Sequence, residues 1–235
     1  MNQPDVKIFA DGADLDGILA LSTDTRIAGF TTNPTLMWKA GLTDYREFAQ
    51  RLLERITTHP ISFEVFADSL PEIRRQARLI ASWGENVYVK IPVTTTAGEA
   101  VAPLVRELSE DGIKVNVTAM FTTAQVELLT AAVKDGAPSF LSVFAGRIAD
   151  AGIDPVPIME RSVQIMVAAP RSELIWASPR EIFNVVQAEQ VGCHIITVTR
   201  DLLGKLDSLG KDLDQFSLET VQMFHRDAVA AGFEL

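Results

Sequence analysis

The sequence predicts a single closed (β/α)8 barrel with one additional helix at its C-terminal end. Three observations predict it. Eight short runs of β-branched and aromatic residues recur along the chain, and longer stretches of helical periodicity separate them. No Pro/Ser-rich linker or shift of composition divides the 235 residues. A strand–helix unit repeated eight times in one undivided chain of this length closes into a barrel. An open doubly wound sheet would need a phosphate fingerprint after its first strand. Asp11-Gly12-Ala13-Asp14 is neither a GxGxxG turn nor a P-loop.

Taken in order, the first predicted strand covers residues 6–9 and ends at Asp11. The second, 27–31, runs out through Thr31-Thr32-Asn33-Pro34, and the third, 61–65, carries Glu64. A helix over 70–83 follows, because Leu70, Ile73, Ala77 and Ile80 recur at helical spacing. The fourth strand, 87–91, is Val87-Tyr88-Val89-Lys90-Ile91 followed by Pro92. Alternation puts Tyr88 and Lys90 on one face and Val87, Val89 and Ile91 on the other, and the proline is expected to stop the strand just past the lysine. In the fifth, 114–118, Asn116 and Thr118 are two apart and share a face. Thr122-Thr123-Ala124-Gln125 reads as a capping box opening a helix through Leu129. The sixth strand, 139–143, contains Ser142, with Phe144 and Arg147 just beyond. The seventh, 174–177, ends in Ser178-Pro179-Arg180, and the eighth is 193–198. Gly112, Gly136 and Gly192 fall where helices should stop before the next strand. The chain is expected to form one domain over 1–235, with the barrel over about 5–206 and a helical extension over about 207–235. In the extension, Phe216, Val221, Phe224 and Ala228 give residues 214–231 an apolar stripe. It is expected either to cap the barrel or to pack across a subunit contact.

Hydrophobic residues make up 47% of the chain and charged residues 22%, a globular composition able to bury a sizeable core. One cysteine, Cys193, excludes an internal disulfide and agrees with a reducing compartment. The N-terminus lacks a signal-peptide pattern and no stretch approaches about 18 consecutive apolar residues, so the expectation is a cytoplasmic protein without a membrane span. A net charge of −10 argues against nucleic acid as a partner. It also repels a phosphate ester mildly, so such a ligand would need arginines placed locally.

An ammonium at the end of a buried strand is costly unless it is paired or gives up its proton. A neutral lysine attacks carbonyls, which makes Lys90 a candidate Schiff-base nucleophile. Pairing with a carboxylate, or contact with a ligand phosphate, is the structural alternative for this residue. The other strands favour a shared site. Seven consecutive strands end in polar residues, whereas a packed barrel interior prefers Val, Ile and Leu.

These residues resemble a known family. Phe30-Thr31-Thr32-Asn33-Pro34-Thr35-Leu36 is similar to the Thr-Thr-Asn-Pro signature of transaldolases, and Val89-Lys90-Ile91-Pro92-Val93-Thr94 resembles their Schiff-base strand. Ser142-Val143-Phe144-Ala145-Gly146-Arg147-Ile148 resembles the segment that supplies a phosphate-binding arginine, and Asn116-Val117-Thr118 and Ala177-Ser178-Pro179-Arg180 match in order and spacing. The last departs from the more usual Ser-Phe-Arg by having Pro179. The resemblance spans residues 6 to about 206 and points to the small transaldolase class, which also contains fructose-6-phosphate aldolases.

The resemblance implies a class I mechanism without metal or cofactor, and no His/carboxylate ligand cluster is visible in the sequence. Lys90 would form the imine, Glu64 and Thr118 would hold a proton-shuttling water, and Asp11 would take the proton of the C4 hydroxyl. Asn33, Asn116 and Ser142 would hold the hydroxyls of the three-carbon fragment. Arg147 and Arg180, with Ser178, would grip the phosphate of a sugar-phosphate substrate. Glu64 and Phe144 stand where the aldolase branch tends to have glutamine and tyrosine, so the implied reaction is transfer of a dihydroxyacetone unit from fructose 6-phosphate to erythrose 4-phosphate. Simple cleavage of fructose 6-phosphate is the nearest rival. A non-catalytic sugar-phosphate-binding barrel is a second, and the joint presence of Lys90, Glu64, Thr118 and Asp11 argues against it. The family implies a homo-oligomer, either a dimer or rings of five, often doubled.

Overall fold

The computed structural model describes residues 5–233. Eight strands pair in parallel and in chain order: β1 (Lys7–Asp11), β2 (Ile27–Thr31), β3 (Ile61–Glu64), β4 (Val87–Pro92), β5 (Val115–Met120), β6 (Phe140–Val143), β7 (Glu173–Trp176) and β8 (Ile195–Thr199). β8 pairs with β1, so the sheet is a closed barrel. The predicted fold class is therefore the observed one.

Helices cover the outside. They are α1 (Leu15–Leu21), α2 (Pro34–Lys39), α3 (Tyr45–Leu53), α4 (Leu70–Ala81), α5 (Ala102–Glu110), α6 (Thr123–Val133), α7 (Ala145–Asp150), α8 (Val156–Met166), α9 (Phe183–Gln190) and α10 (Arg200–Leu203). A short 3-10 turn (Leu206–Ser208) leads into α11 (Leu213–Ala231). In α4 the residues that bury are Ile73, Ala77 and Ile80, the stripe that the helical spacing predicts. The capping box also forms. Thr122 Oγ1 accepts from the Gln125 amide at 3.3 Å, and Gln125 Oε1 accepts from the Thr122 amide at 3.1 Å. Gly112 and Gly192 follow α5 and α9 with φ of +85° and +72°, a conformation that costs a residue with a Cβ about 1–2 kcal/mol. Gly136 ends its helix without a left-handed φ.

Strand faces divide the core in two. Outward residues such as Ile61, Phe63, Val89, Ile91, Val115 and Val117 are fully buried under the helices. Inside, Phe9, Phe140, Ile175 and Ile195 form a second cluster that Tyr88 joins, its ring stacked on Phe140 at 3.9 Å. This apolar plug fills the lower barrel. Polar side chains of the upper layer stand on it.

Two strand ends differ from the predicted ones. β4 ends at Pro92, one residue past the predicted run: Pro92 pairs opposite Thr118, and the amide of Val93 just beyond the strand still donates to Thr118 O at 2.9 Å. A proline lacks only its own donor, so one ladder bond is lost and the next forms. β5 runs two residues past the predicted end, to Met120, with an irregular register against β6. Ala119 sits in that irregularity at φ 61°, and a bulge of this kind leaves no mark in an alternation pattern.

The C-terminal helix answers the capping expectation in the negative. None of the side chains of α11 is buried, and Phe216, Val221 and Phe224 are 41%, 59% and 63% exposed. Its apolar stripe does not fold back over the barrel within this chain. Among the described residues, no helix is long and apolar enough to cross a membrane.

Candidate active site

The register of three neighbouring strands sets the centre of the site. Glu64 of β3 lies opposite Lys90 of β4, and Lys90 lies opposite Asn116 of β5. All three point into the barrel because each is in phase with the inward face of its strand. Lys90 is 7% exposed. Its Nζ donates to Thr32 O at 3.1 Å and stands 3.3 Å from Glu64 Oε2. The pairing alternative for Lys90 is the one observed: its buried amine stands beside the Glu64 carboxyl.

Burial pushes the Glu64 carboxyl above the ordinary glutamate range, and nearby Lys90 pulls the other way. Asp11 is raised for the same reason, again opposed by Lys90 and by the hydrogen bonds of Thr31 and Asn33. Thr31 Oγ1 donates to Asp11 Oδ1 at 2.8 Å, and Asn33 Nδ2 lies 3.5 Å from Oδ2. Asn33 has a second task, since its Oδ1 accepts from the Leu36 amide and caps α2. The Tyr45 hydroxyl donates to the backbone O of Glu64 at 3.2 Å, and its ring packs on Phe63 and Trp83 behind the strand.

On the opposite wall, Ser142 Oγ donates to Asn116 Oδ1 at 2.7 Å, and Asn116 Nδ2 donates to Ser62 Oγ at 2.9 Å. The Thr118 hydroxyl is buried with no hydrogen-bond partner among the described residues. A buried hydroxyl in that condition is available to a ligand or a bound water.

The cavity holds about 400 Å³, room for a sugar phosphate, and is lined by Asp11, Asn33, Glu64, Lys90, Asn116, Thr118, Ser142, Phe144, Arg147 and Ser178, with Thr197 of β8 and others. Every predicted site residue except Arg180 is in that wall. At the mouth, the Arg147 guanidinium lies over the Phe144 ring at 5.3 Å and makes no ion pair among the described residues. Arg180 is elsewhere. Its Nε contacts both oxygens of Asp150 at 3.0 Å, and Nη2 is 2.5 Å from Oδ2. Asp150 closes α7, only three residues after Arg147, and a side-on carboxylate takes an arginine fork readily. This contact joins the loops after β6 and β7, and no local pattern predicts it.

Those loops are pressed together at Gly146. A Cβ there would fall 1.5 Å from Ser178 O, so only glycine fits between Phe144 and Arg147 on one side and Ser178 on the other. Ser178 itself has φ 59° and Ala119 φ 61°. Both line the cavity, and left-handed residues other than glycine concentrate at functional sites, where surrounding contacts hold the strain.

The sequence reading assigned Thr31 no role beyond its place in the Thr31-Thr32-Asn33-Pro34 run, and it did not single out Ser62, Tyr45 or Thr197. Ser62 could have been found, because it shares the inward face of its strand with Glu64. Tyr45 could not, since its contact with Glu64 crosses from α3. No group of three or more His, Cys, Asp or Glu side chains is placed to hold a metal ion among the described residues.

Among solved structures, one described as a phosphonomutase from Burkholderia cenocepacia superposes with a TM-score of 0.58 at 11% identity, covering 92% of this chain and 94% of its own. One described as a fructose-1,6-biphosphate aldolase from Coccidioides immitis gives 0.54 at 18% identity, covering 83% and 74%. These likenesses show the barrel fold alone. Sequence relatives are nearer. A protein named "Probable transaldolase" from Streptococcus equi subsp. zooepidemicus is 36% identical over 202 residues, which is 86% of this chain and 90% of the relative. One of the same name from Thermoanaerobacter sp. is 37% identical over 199 residues, covering 84% and 88%. Fold and relatives together define a barrel enzyme of the transferase/aldolase kind. The model of the Transaldolase/Fructose-6-phosphate aldolase family matches residues 8–235, and the chain belongs to that family.

Proposed function

We propose that this enzyme transfers a dihydroxyacetone unit from a ketose phosphate of the fructose 6-phosphate type to an aldose phosphate of the erythrose 4-phosphate type, through an imine on Lys90. One observation carries the reading: a buried amine 3.3 Å from a carboxyl whose proton affinity burial has raised. Glu64 takes the Lys90 proton, and the free amine adds to the ketose carbonyl. Water leaves the resulting carbinolamine, with Glu64 and a water on the unpaired Thr118 hydroxyl moving the protons. Asp11 accepts the C4 hydroxyl proton as the C3–C4 bond breaks, and the bond's electrons pass into the protonated imine. The aldose departs. An acceptor aldehyde then takes its place, and the steps run in reverse to release the new ketose.

Asn33, Asn116 and Ser142 hold the three-carbon fragment between the two half-reactions. Arg147 and Ser178 receive the phosphate and supply the local attraction that a net charge of −10 demands. Arg180 joins them only by leaving Asp150. Phe144 has no hydroxyl to protonate the bound carbanion, which favours transfer over release of free dihydroxyacetone.

Borohydride added during incubation with fructose 6-phosphate should raise the protein mass by one reduced three-carbon unit on the peptide containing Lys90. An unmodified mass would remove the proposal. Free dihydroxyacetone formed at the transfer rate without any acceptor would favour the aldolase reading instead.

We further propose that the apolar face of α11 packs on a second copy of the chain, since Phe216, Val221 and Phe224 stay largely exposed on a helix that buries none of its side chains. Light scattering after size exclusion should give a multiple of 25.7 kDa, and a monomer would refute this. A lone, buried cysteine supports a reducing compartment as the place of action.

A further inference from the structure

We propose that Ser62 is a positioning residue that sets donor-sugar affinity by fixing the amide of Asn116. The inference rests on the proposed reaction and names a residue outside the cavity wall. Ser62 is fully buried, as is Asn116, while Ser142 is 3% exposed. Ser62 stands two residues before Glu64 on the same inward face, opposite Tyr88, and so lies beneath the row of Glu64, Lys90 and Asn116. Asn116 and Ser142 line the cavity, and Ser62 lies behind them.

The three side chains form one line of hydrogen bonds. Ser142 donates to Asn116 Oδ1, and Asn116 Nδ2 donates to Ser62 Oγ, so the contact reaches from β5 past β4 to β3. A carboxamide turns easily about its last torsion, and its two ends differ only by their neighbours. Here both ends are tied to protein. That leaves one Nδ2 hydrogen and the oxygen of Ser142, with defined polarity, for the hydroxyl of the bound fragment. Nothing else in the line anchors Nδ2. Without Ser62, a fully buried donor loses its partner, the amide is free to turn, and Ser142 loses a fixed acceptor.

The test is Ser62→Ala alone and combined with Asn116→Ala, assayed with fructose 6-phosphate as donor and erythrose 4-phosphate as acceptor. Ser62→Ala should raise the donor KM about tenfold and leave the acceptor KM unchanged, a split that a general loosening of the fold would not give. In the Asn116→Ala background the same change should add nothing, because no amide remains to be held. Ser62→Cys keeps the size and a weak acceptor, and it should fall between the two; it also serves if the alanine variant does not fold. An unchanged donor KM in these variants, or effects that multiply in the double variant, would overturn the inference. A parent enzyme that neither turns over nor traps the donor would overturn the proposed reaction and this inference together.

Discussion

Lys90→Met should lower donor turnover by on the order of 10⁴-fold or more while the protein still folds. Residues that act as the covalent centre of a mechanism carry effects of that size, because every later step passes through the bond they form. Folding should survive. Methionine fills nearly the same volume, and removing the ammonium lets Glu64 take up its proton rather than remain as a lone buried charge. Exchange of dihydroxyacetone between sugar phosphates measures the first effect, and thermal unfolding followed by circular dichroism measures the second. Undiminished exchange in a folded variant would refute the imine mechanism.

Asp11→Asn should cost activity and add stability at once. Loss of the group that receives the C4 proton should lower turnover about 10²–10⁴-fold. The stability gain follows from the raised proton affinity of Asp11, caused first by burial. In the unfolded chain the carboxyl loses its proton near 3.8, and in the folded chain it keeps it to higher pH. Between those two points the folded state binds more protons, so stability falls as pH rises and stays lowered above the folded value. An asparagine never ionises and escapes that loss. The melting temperature of Asp11→Asn should therefore exceed the parent's at pH 7, and the two should converge as pH drops below about 4. A variant less stable than the parent at pH 7, or a difference independent of pH, would contradict this account. The asparagine oxygen can still accept from Asn33 Nδ2, while its amide donates to Thr31 Oγ1, so the Thr31 bond reverses direction rather than being lost.

Much of this site was legible because it depends on short-range order. Asp11, Glu64, Lys90, Asn116, Thr118 and Ser142 each sit near the C-terminal end of a strand, on the face that alternation assigns to the barrel interior. The apolar stripe of α4 and the Thr122 capping box are equally local, and both took the predicted form. Arg180 shows the limit. Its motif keeps the serine and the arginine on either side of Pro179, yet a carboxylate 30 residues earlier in the chain holds its guanidinium.

By itself, the sequence determined that eight strands alternate with helices, which side of each strand faces inward, and which residue types arrive at the rim. Those are consequences of a two-residue strand repeat and a 3.6-residue helical one, properties carried within a few positions of each residue. Tertiary structure alone decided who meets whom: Lys90 with Glu64, Asn116 with Ser62 across an intervening strand, Arg180 with Asp150, and an α11 that buries none of its side chains. Such pairs depend on register between strands and on how the closed sheet brings loops together, which segments dozens of residues apart settle jointly.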